Sequence, residues 1–248
     1  MLNEKVLARL HLEAVLPNME TMAKEDSQAS KIAKKWDGSI YFIAGLSGPR
    51  VTLQINNSQV KVMPGKVGKP DIVLFFPTEK LMNNMFKGSG IGFPVPLKGF
   101  TKIIGLLTFM KLAKRMEEVL KGENPPKELK AKLTLNTIAR GSTIIANYDA
   151  EGKILKEEMP KGTVEVRIKD GHAVHVVFSD VKANGAIGHA EKPNLIMEFA
   201  SSDIALDVAD GKVDTMAAIC LGDMNLKGHL FMGEYVNEFL DKLGLYLQ

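Results

Sequence analysis

Apolar and polar residues alternate along "GTVEVRIKDGHAVHVVFS". Val164, Val166 and Ile168 fall on one side, and Thr163, Glu165, Arg167 and Lys169 on the other. Successive side chains of a strand point to opposite faces, so the pattern predicts a half-buried strand. Asp170-Gly171 marks a hairpin turn, after which Val174, Val176 and Phe178 resume the alternation. In "NLIMEF", Leu195, Met197 and Phe199 share a face. "SSDIALDVADG" predicts a short helix, with Ser201 or Ser202 as N-cap and Gly211 just past its end. "DTMAAICLG" predicts a second short helix, and "DMNLKGHL" a strand whose inward set is Met224, Leu226, Gly228 and Leu230. "GEYVNEFLDKLGLYL" closes as an amphipathic helix, with Tyr235, Val236, Phe239, Leu240 and Leu243 at helical spacing. The product is an α+β fold, an antiparallel β-sheet covered on one face by helices.

The pattern occurs twice. "GKPDIVLFFPTEKLMNNMFKG" (Gly68 to Gly88) and "EKPNLIMEFASSDIALDVADG" (Glu191 to Gly211) each carry Lys-Pro, an apolar run ending in Phe, and then a Gly. The offset from Lys69 to Lys192 is 123, and without gaps it lays residues 48–120 on 171–243. Among the identical pairs are Gly48/Gly171, Gly65/Gly188, Gly88/Gly211, Gly99/Gly222, Gly105/Gly228, Leu107/Leu230 and Leu120/Leu243. The alternation stays in phase, and a slip of one residue would turn every strand over. The sequence therefore predicts a duplicated fold with domains at 1–124, including N-terminal helices, and 125–248, joined in "KGENPPKELK".

Charge separates the two halves. Residues 1–124 hold 18 Lys+Arg against 11 Asp+Glu, a balance of +7, and residues 125–248 hold 14 against 18, a balance of −4. The basic residues are dispersed, without an aromatic-interleaved basic motif, so nucleic acid is not the expected partner. No apolar run reaches the roughly 18 residues of a membrane span, and the N-terminus mixes acids and bases rather than forming a secretory signal. Cys220 is the sole cysteine, which leaves no internal disulfide and fits a reducing, cytoplasmic setting. Its apolar surroundings, "AAICLG", predict a buried, inert thiol.

Catalytic chemistry finds little footing. "GSGIGF" (Gly88 to Phe93) resembles a phosphate loop, but Pro94 and Pro96 follow where a helix would have to begin, so it reads as a turn. His172 and His175 are three apart near a strand and point to opposite faces, so they do not share a metal. No nucleophile elbow is present. "LLTFMKLAKRMEEVLKG" predicts an amphipathic helix whose Lys111, Lys114 and Arg115 form either a solvated face or a transient contact with an anionic membrane surface.

The second copy resembles a known family. Gly211-Lys212, Ala217-Ala218, Gly222 and Gly228 follow an apolar strand, in order, within "KPNLIMEFASSDIALDVADGKVDTMAAICLGDMNLKGHLFMGEYVNEFL". This looks like the core of the sterol carrier protein 2 family. The first copy matches more loosely and lacks the Gly-Lys and the Ala-containing helix. The resemblance implies an apolar cavity between sheet and helices. It also implies non-catalytic binding or transfer of a hydrophobic ligand (a sterol, fatty acid, acyl-CoA or other lipid), with no cofactor and no metal. The lining it implies is Met197, Phe199, Met216, Ile219, Met224, Leu226, Leu230, Met232, Phe239 and Leu243. Each buried CH₂ is worth about 0.8 kcal/mol, so a chain of about 16 carbons gains on the order of 10 kcal/mol before entropic costs. The alternatives are a protein-interaction or scaffold module with filled cavities, and an enzyme acting on lipid thioesters. Homo-oligomerisation is compatible with either.

The outer faces of the two sheets are expected to differ. Glu165, Arg167, Glu198, Asp223, Lys227 and His229 in the second copy face Tyr41, Ile43, Phe75, Phe100, Ile104 and Leu106 in the alignment, with Ile196, opposite Val73, the apolar exception. The first sheet should then be covered on its second face, by the other module, by the helices around 3–35 or by another subunit.

Overall fold

The computed structural model describes residues 2–88, 93–99 and 101–247, which divide into two compact units, Met1–Asn124 and Pro125–Gln248. In the first unit α1 (Glu4–Arg9) runs into a π-helical stretch (Leu10–Val15), followed by α2 (Asn18–Glu25) and α3 (Ser27–Ala33). Strands β1 (Gly38–Ala44), β2 (Arg50–Asn56), β3 (Gln59–Pro64) and β4 (Ile72–Phe76) follow, then α4 (Glu79–Phe86), β5 (Val95–Lys98) and α5 (Ile103–Lys121). The second unit opens with α6 (Lys127–Tyr148) and α7 (Ala150–Glu158). It continues with β6 (Gly162–Ile168), β7 (Ala173–Phe178), β8 (Ala183–Ile187) and β9 (Leu195–Phe199), then α8 (Ser202–Ala209), α9 (Thr215–Leu221), β10 (Met224–Gly228) and α10 (Phe231–Leu247).

The two sheets share one topology: β3-β2-β1-β4-β5 in the first unit and β8-β7-β6-β9-β10 in the second. Each is mixed rather than wholly antiparallel. β4 crosses to the far side of β1 and pairs with it in parallel, and β9 does the same with β6, while the other neighbours run antiparallel.

The likeness extends to single hydrogen bonds. The Thr78 hydroxyl caps α4 by accepting from Leu81 N–H, and the Ser201 hydroxyl caps α8 by accepting from Ile204 N–H. Gly88 and Gly211, both at φ +69, follow those helices in the left-handed conformation that suits glycine. Gly65 N–H donates to Arg50 and Gly188 N–H to Ala173, closing the same turn. Ser39 N–H donates to the Asp71 carboxylate where Thr163 N–H donates to the Asn194 side chain. All these pairs are 123 residues apart, apart from those in β1 and β6, which are 124 apart because the first hairpin loop is one residue longer.

Beyond α4 the constant offset fails. β5 pairs Lys98 with Val73, and β10 pairs Lys227 with Ile196, so the offset there is 129. Gly99 is the counterpart of Gly228 and not of Gly222. A Cβ on Gly99 would meet the Asp71 carbonyl at 2.6 Å, and one on Gly228 would meet the Asn194 carbonyl at 2.1 Å. The first unit is therefore six residues shorter at this point. The pairings Gly105/Gly228, Leu107/Leu230 and Leu120/Leu243 do not hold either. Ile104 and Leu106 lie on α5 rather than on the sheet; Phe100 and most of the stretch 88–93 are outside the described residues.

Helices cover one face of each sheet. In the first unit Ile40, Phe42, Val51, Leu53, Ile72 and Phe76 are buried on that face, and Phe109 of α5 packs on Phe42 at 5.2 Å. The N-terminal helices belong to this same layer: α2 and α3 pack on α5, and Arg115 grips Asp26 at 2.8 Å. They are not the cover of the second face. On that face Tyr41 and Thr52 are buried, and Thr52 Oγ1 donates to the Gly65 carbonyl and accepts from Val67 N–H. The β3–β4 connection thus folds over part of the face, while Ile43, Val73 and Phe75 stay half-buried.

Candidate functional site

Strand alternation places Val164 and Val166 of β6 and Val174, Val176 and Phe178 of β7 on the helix-facing side of the second sheet. Above them lie Ile138, Ala139 and Ser142 of α6 and Val236 and Phe239 of α10. Phe178 stacks on Phe239 with centroids 5.4 Å apart. These residues enclose a cavity of about 20 Å³, room for about one water molecule. The helix layer closes tightly over it. Gly141 of α6 leaves the space that Leu243 of α10 fills, since a Cβ there would lie 2.6 Å from the Leu243 side chain.

Of the ten residues implied as lining, Phe239 alone borders this cavity. Met197, Phe199, Met224 and Met232 are buried in the same layer, on or beside β9 and β10, and Leu243 is buried against Gly141 of α6. Leu226 and Ile219 are half-buried, and Met216 and Leu230 are 65% and 57% exposed. Leu230 leaves the inward set because β10 ends at Gly228 and Leu230 falls in the turn before α10. Val164, Val166, Val174, Val176 and Phe178 carry the alternation that signals an inward face. Ile138, Ala139 and Ser142 carry no such signal, because helix periodicity does not say which element a face meets.

The sheet edge is covered thinly. α9 is seven residues long and packs on β10 and α8, with Ala218 as its buried anchor. Asp214 caps it, accepting from Met216 and Ala217 N–H. Around it Met216, Leu221, Leu230 and Phe231 stand in solvent. Cys220 is exposed, contrary to the expectation from its neighbours, because α9 turns Ala218 inward and leaves the Cys220 side of the helix bare.

Comparison with known proteins follows the fold. No protein-family model matches the chain, and no curated protein matches it. Its structural likenesses include sterol carrier protein domains. The sterol carrier protein domain 2 of Helicoverpa armigera is 14% identical, covering 46% of this chain and 91% of its own, with a TM-score of 0.37. The UbiJ-SCP2 ubiquinone synthesis protein is 13% identical, covering 45% of this chain and 96% of its own, with a TM-score of 0.37. Palmitated SCP2L2 from Aedes aegypti is 14% identical, covering 46% of this chain and 93% of its own, with a TM-score of 0.31. Each spans about one unit.

The outer face of the second sheet carries a network of paired polar side chains beside Val177 and Ile196. Glu165, 1% exposed, accepts from Ala190 N–H at 2.7 Å, His189 Nδ1 at 3.0 Å and Arg167 at 3.0 Å. Burial works against its charge, but those donors outweigh it and hold the carboxyl below its ordinary range. Arg167 also binds Glu198 at 2.6 Å, and Lys227 lies 3.5 Å from Glu198. His175 Nδ1 donates to the Gly188 carbonyl, the part that Thr52 plays in the first unit. Among the described residues no group of three or more His, Cys, Asp or Glu could hold a metal ion, and no helix is long and apolar enough to cross a membrane.

The first unit has a different opening. A cleft of about 430 Å³ lies on the outer face beside the β3–β4 connection, lined by polar residues including Asp37, Ser39, Thr52, Gln54 and Asp71. Asp71 is engaged there with Ser39 and with Lys102 at 3.7 Å.

Proposed function

We propose that this chain is a non-catalytic binder of a hydrophobic ligand, taken up by the second unit between its sheet and its helices. The observation that carries this is the thin cover at the β9–β10 edge. There the apolar inward face reaches a half-buried Leu226, under a seven-residue helix surrounded by exposed apolar side chains. The buried layer behind that edge is rich in methionine, with Met197, Met224 and Met232 inside it, and flexible thioethers adapt to varied contents. An acyl chain or sterol would enter by displacing α9, because about 20 Å³ does not hold one.

The same small volume favours a second reading, a scaffold module whose cavity is filled by its own side chains. Uptake of a fluorescent fatty acid by the full chain separates the two. The binder takes it up, and Leu226→Lys abolishes uptake while circular dichroism shows the fold intact. A wild-type protein that takes up no member of several lipid classes, and releases none in native mass spectrometry, would leave the scaffold reading standing.

A further inference from the structure

The first unit carries an exposed apolar surface that the ligand layer of the second does not use. Phe93 is 85% exposed, and Val95 and Leu97 of the edge strand β5 are 46% and 56% exposed. The chain then turns into α5, whose buried side is Gly105, Thr108, Phe109 and Leu112. Its outer side begins with Ile103, Ile104, Leu107 and Met110, between 47% and 62% exposed. Residues 103, 107, 110 and 114 form one stripe at helical spacing, so the first two turns offer a continuous apolar face. Soluble proteins scatter single exposed apolar residues; four along two turns of one helix mark an interaction site.

Charge identifies the occupant. The stripe continues into Lys111 and Lys114, both exposed and without a carboxylate partner among the described residues. Lys98 and Lys102 stand at the β5–α5 turn, the latter sharing Asp71. The acids of the helix, Glu117 and Glu118, come only at its far end. A second copy seated symmetrically would bring lysines against lysines. An anionic lipid surface meets both features at once, taking apolar side chains at its acyl boundary and lysines among its headgroups. We propose that the first two turns of α5 dock this chain on anionic membranes, with the Glu117 end of the helix tilted away.

The test uses the full chain and vesicles of phosphatidylcholine, alone or mixed with phosphatidylserine. Wild-type protein should float with the mixed vesicles, not with the neutral ones, and binding should weaken as salt is raised. Lys111→Gln and Lys114→Gln should each weaken it roughly fivefold, the share of one lysine near a charged surface. Ile104→Glu with Leu107→Glu should abolish it; both positions are exposed, so the fold should persist. If that variant does not fold, Met110→Cys in a Cys220→Ser background carries an environment-sensitive dye, whose emission should shift to the blue on mixed vesicles. Equal binding to neutral vesicles, no binding to either, or a dye that does not respond would overturn the proposal. So would a dimer in solution that Ile104→Glu dissociates, which would make the patch a protein interface. Fatty-acid uptake by the second unit is a separate readout and stands or falls independently.

Discussion

His11 shows what single residues decide in this fold. It lies in the π-helical stretch, 6% exposed, with its ring stacked on Phe86 at 4.9 Å. Nδ1–H donates to Asn83 Oδ1 at 3.1 Å, and the Asn83 amide in turn donates to the Glu4 carbonyl at 2.9 Å, which fixes its orientation. Burial lowers the pKa of His11 from 6.5 to about 4, and the bond to Asn83 offsets only part of that. The folded chain therefore keeps the ring neutral where the unfolded chain binds a proton. The contribution of His11 is at its full value above about pH 6.5 and declines as pH falls towards about 4. Between about pH 8 and about pH 5 the loss comes to about 2 kcal/mol. Urea unfolding at the two pH values should show wild type losing that much more than His11→Gln; equal losses would mean the ring is not the cause. None of this was legible in the sequence, where His11 is one polar residue in an N-terminal run of mixed character. Its burial depends on α4, some seventy residues away.

At the scale of elements, strands were legible and insertions were not. Alternation located β6, β7 and β9, and Ser201 and Gly211 marked both ends of α8. The ungapped repeat carried the first unit correctly as far as Gly88 and then misplaced β5 and α5 by six residues. Glycines on both sides of the shortening supplied false matches, since a glycine reports a backbone need without saying which one. The structure says which. Gly228 sits at φ +105 with its α-carbon against the Asn194 carbonyl, and Gly99 at φ +88 against that of Asp71. Gly211 has positive φ and open space. Gly211→Ala should cost about 1 kcal/mol, the strain of the left-handed conformation alone. Gly228→Ala and Gly99→Ala should cost distinctly more, because backbone must also move. Thermal unfolding of the three variants checks the order, and a Gly99→Ala that costs no more than Gly211→Ala while Gly228→Ala costs more would refute the equivalence of Gly99 with Gly228. The apolar layer of the second unit was legible to the same degree: the sheet side could be read from the strands, and the α6 side could not. A second element-scale expectation concerns Asp26, which caps α3 through Ala29 N–H at 2.7 Å and binds Arg115 of α5 at 2.8 and 3.2 Å. Asp26→Ala should destabilise by about 2 kcal/mol, losing a cap and a largely buried pair together. Arg115→Ala, which spares the cap, should cost less.

For the whole molecule the consequence of duplication is divergence between copies. Equivalent positions on the outer faces hold Tyr41 and Glu165, Ile43 and Arg167, Phe75 and Glu198. One sheet thus presents an apolar face partly covered by its own loop, and the other a network of ion pairs. The copies differ again at the edge, where the first exposes Val95, Leu97 and the outer side of α5. Net charge follows the same division, +7 in residues 1–124 and −4 in residues 125–248. A chain with one basic, apolar-edged unit and one acidic unit with a thinly covered apolar layer suits a division of labour, the first holding a surface and the second a ligand. Each unit has its own five-stranded sheet and its own buried core, the condition for folding alone. Residues 1–124 and 125–248 produced separately should both give cooperative unfolding. The first should keep binding to phosphatidylserine vesicles and take up no fatty acid. The second should keep uptake and ignore the vesicles, since its acidic balance is repelled by an anionic surface. If both activities appear only in the full chain, or both in one half, the copies have not divided the work and the function belongs to the pair.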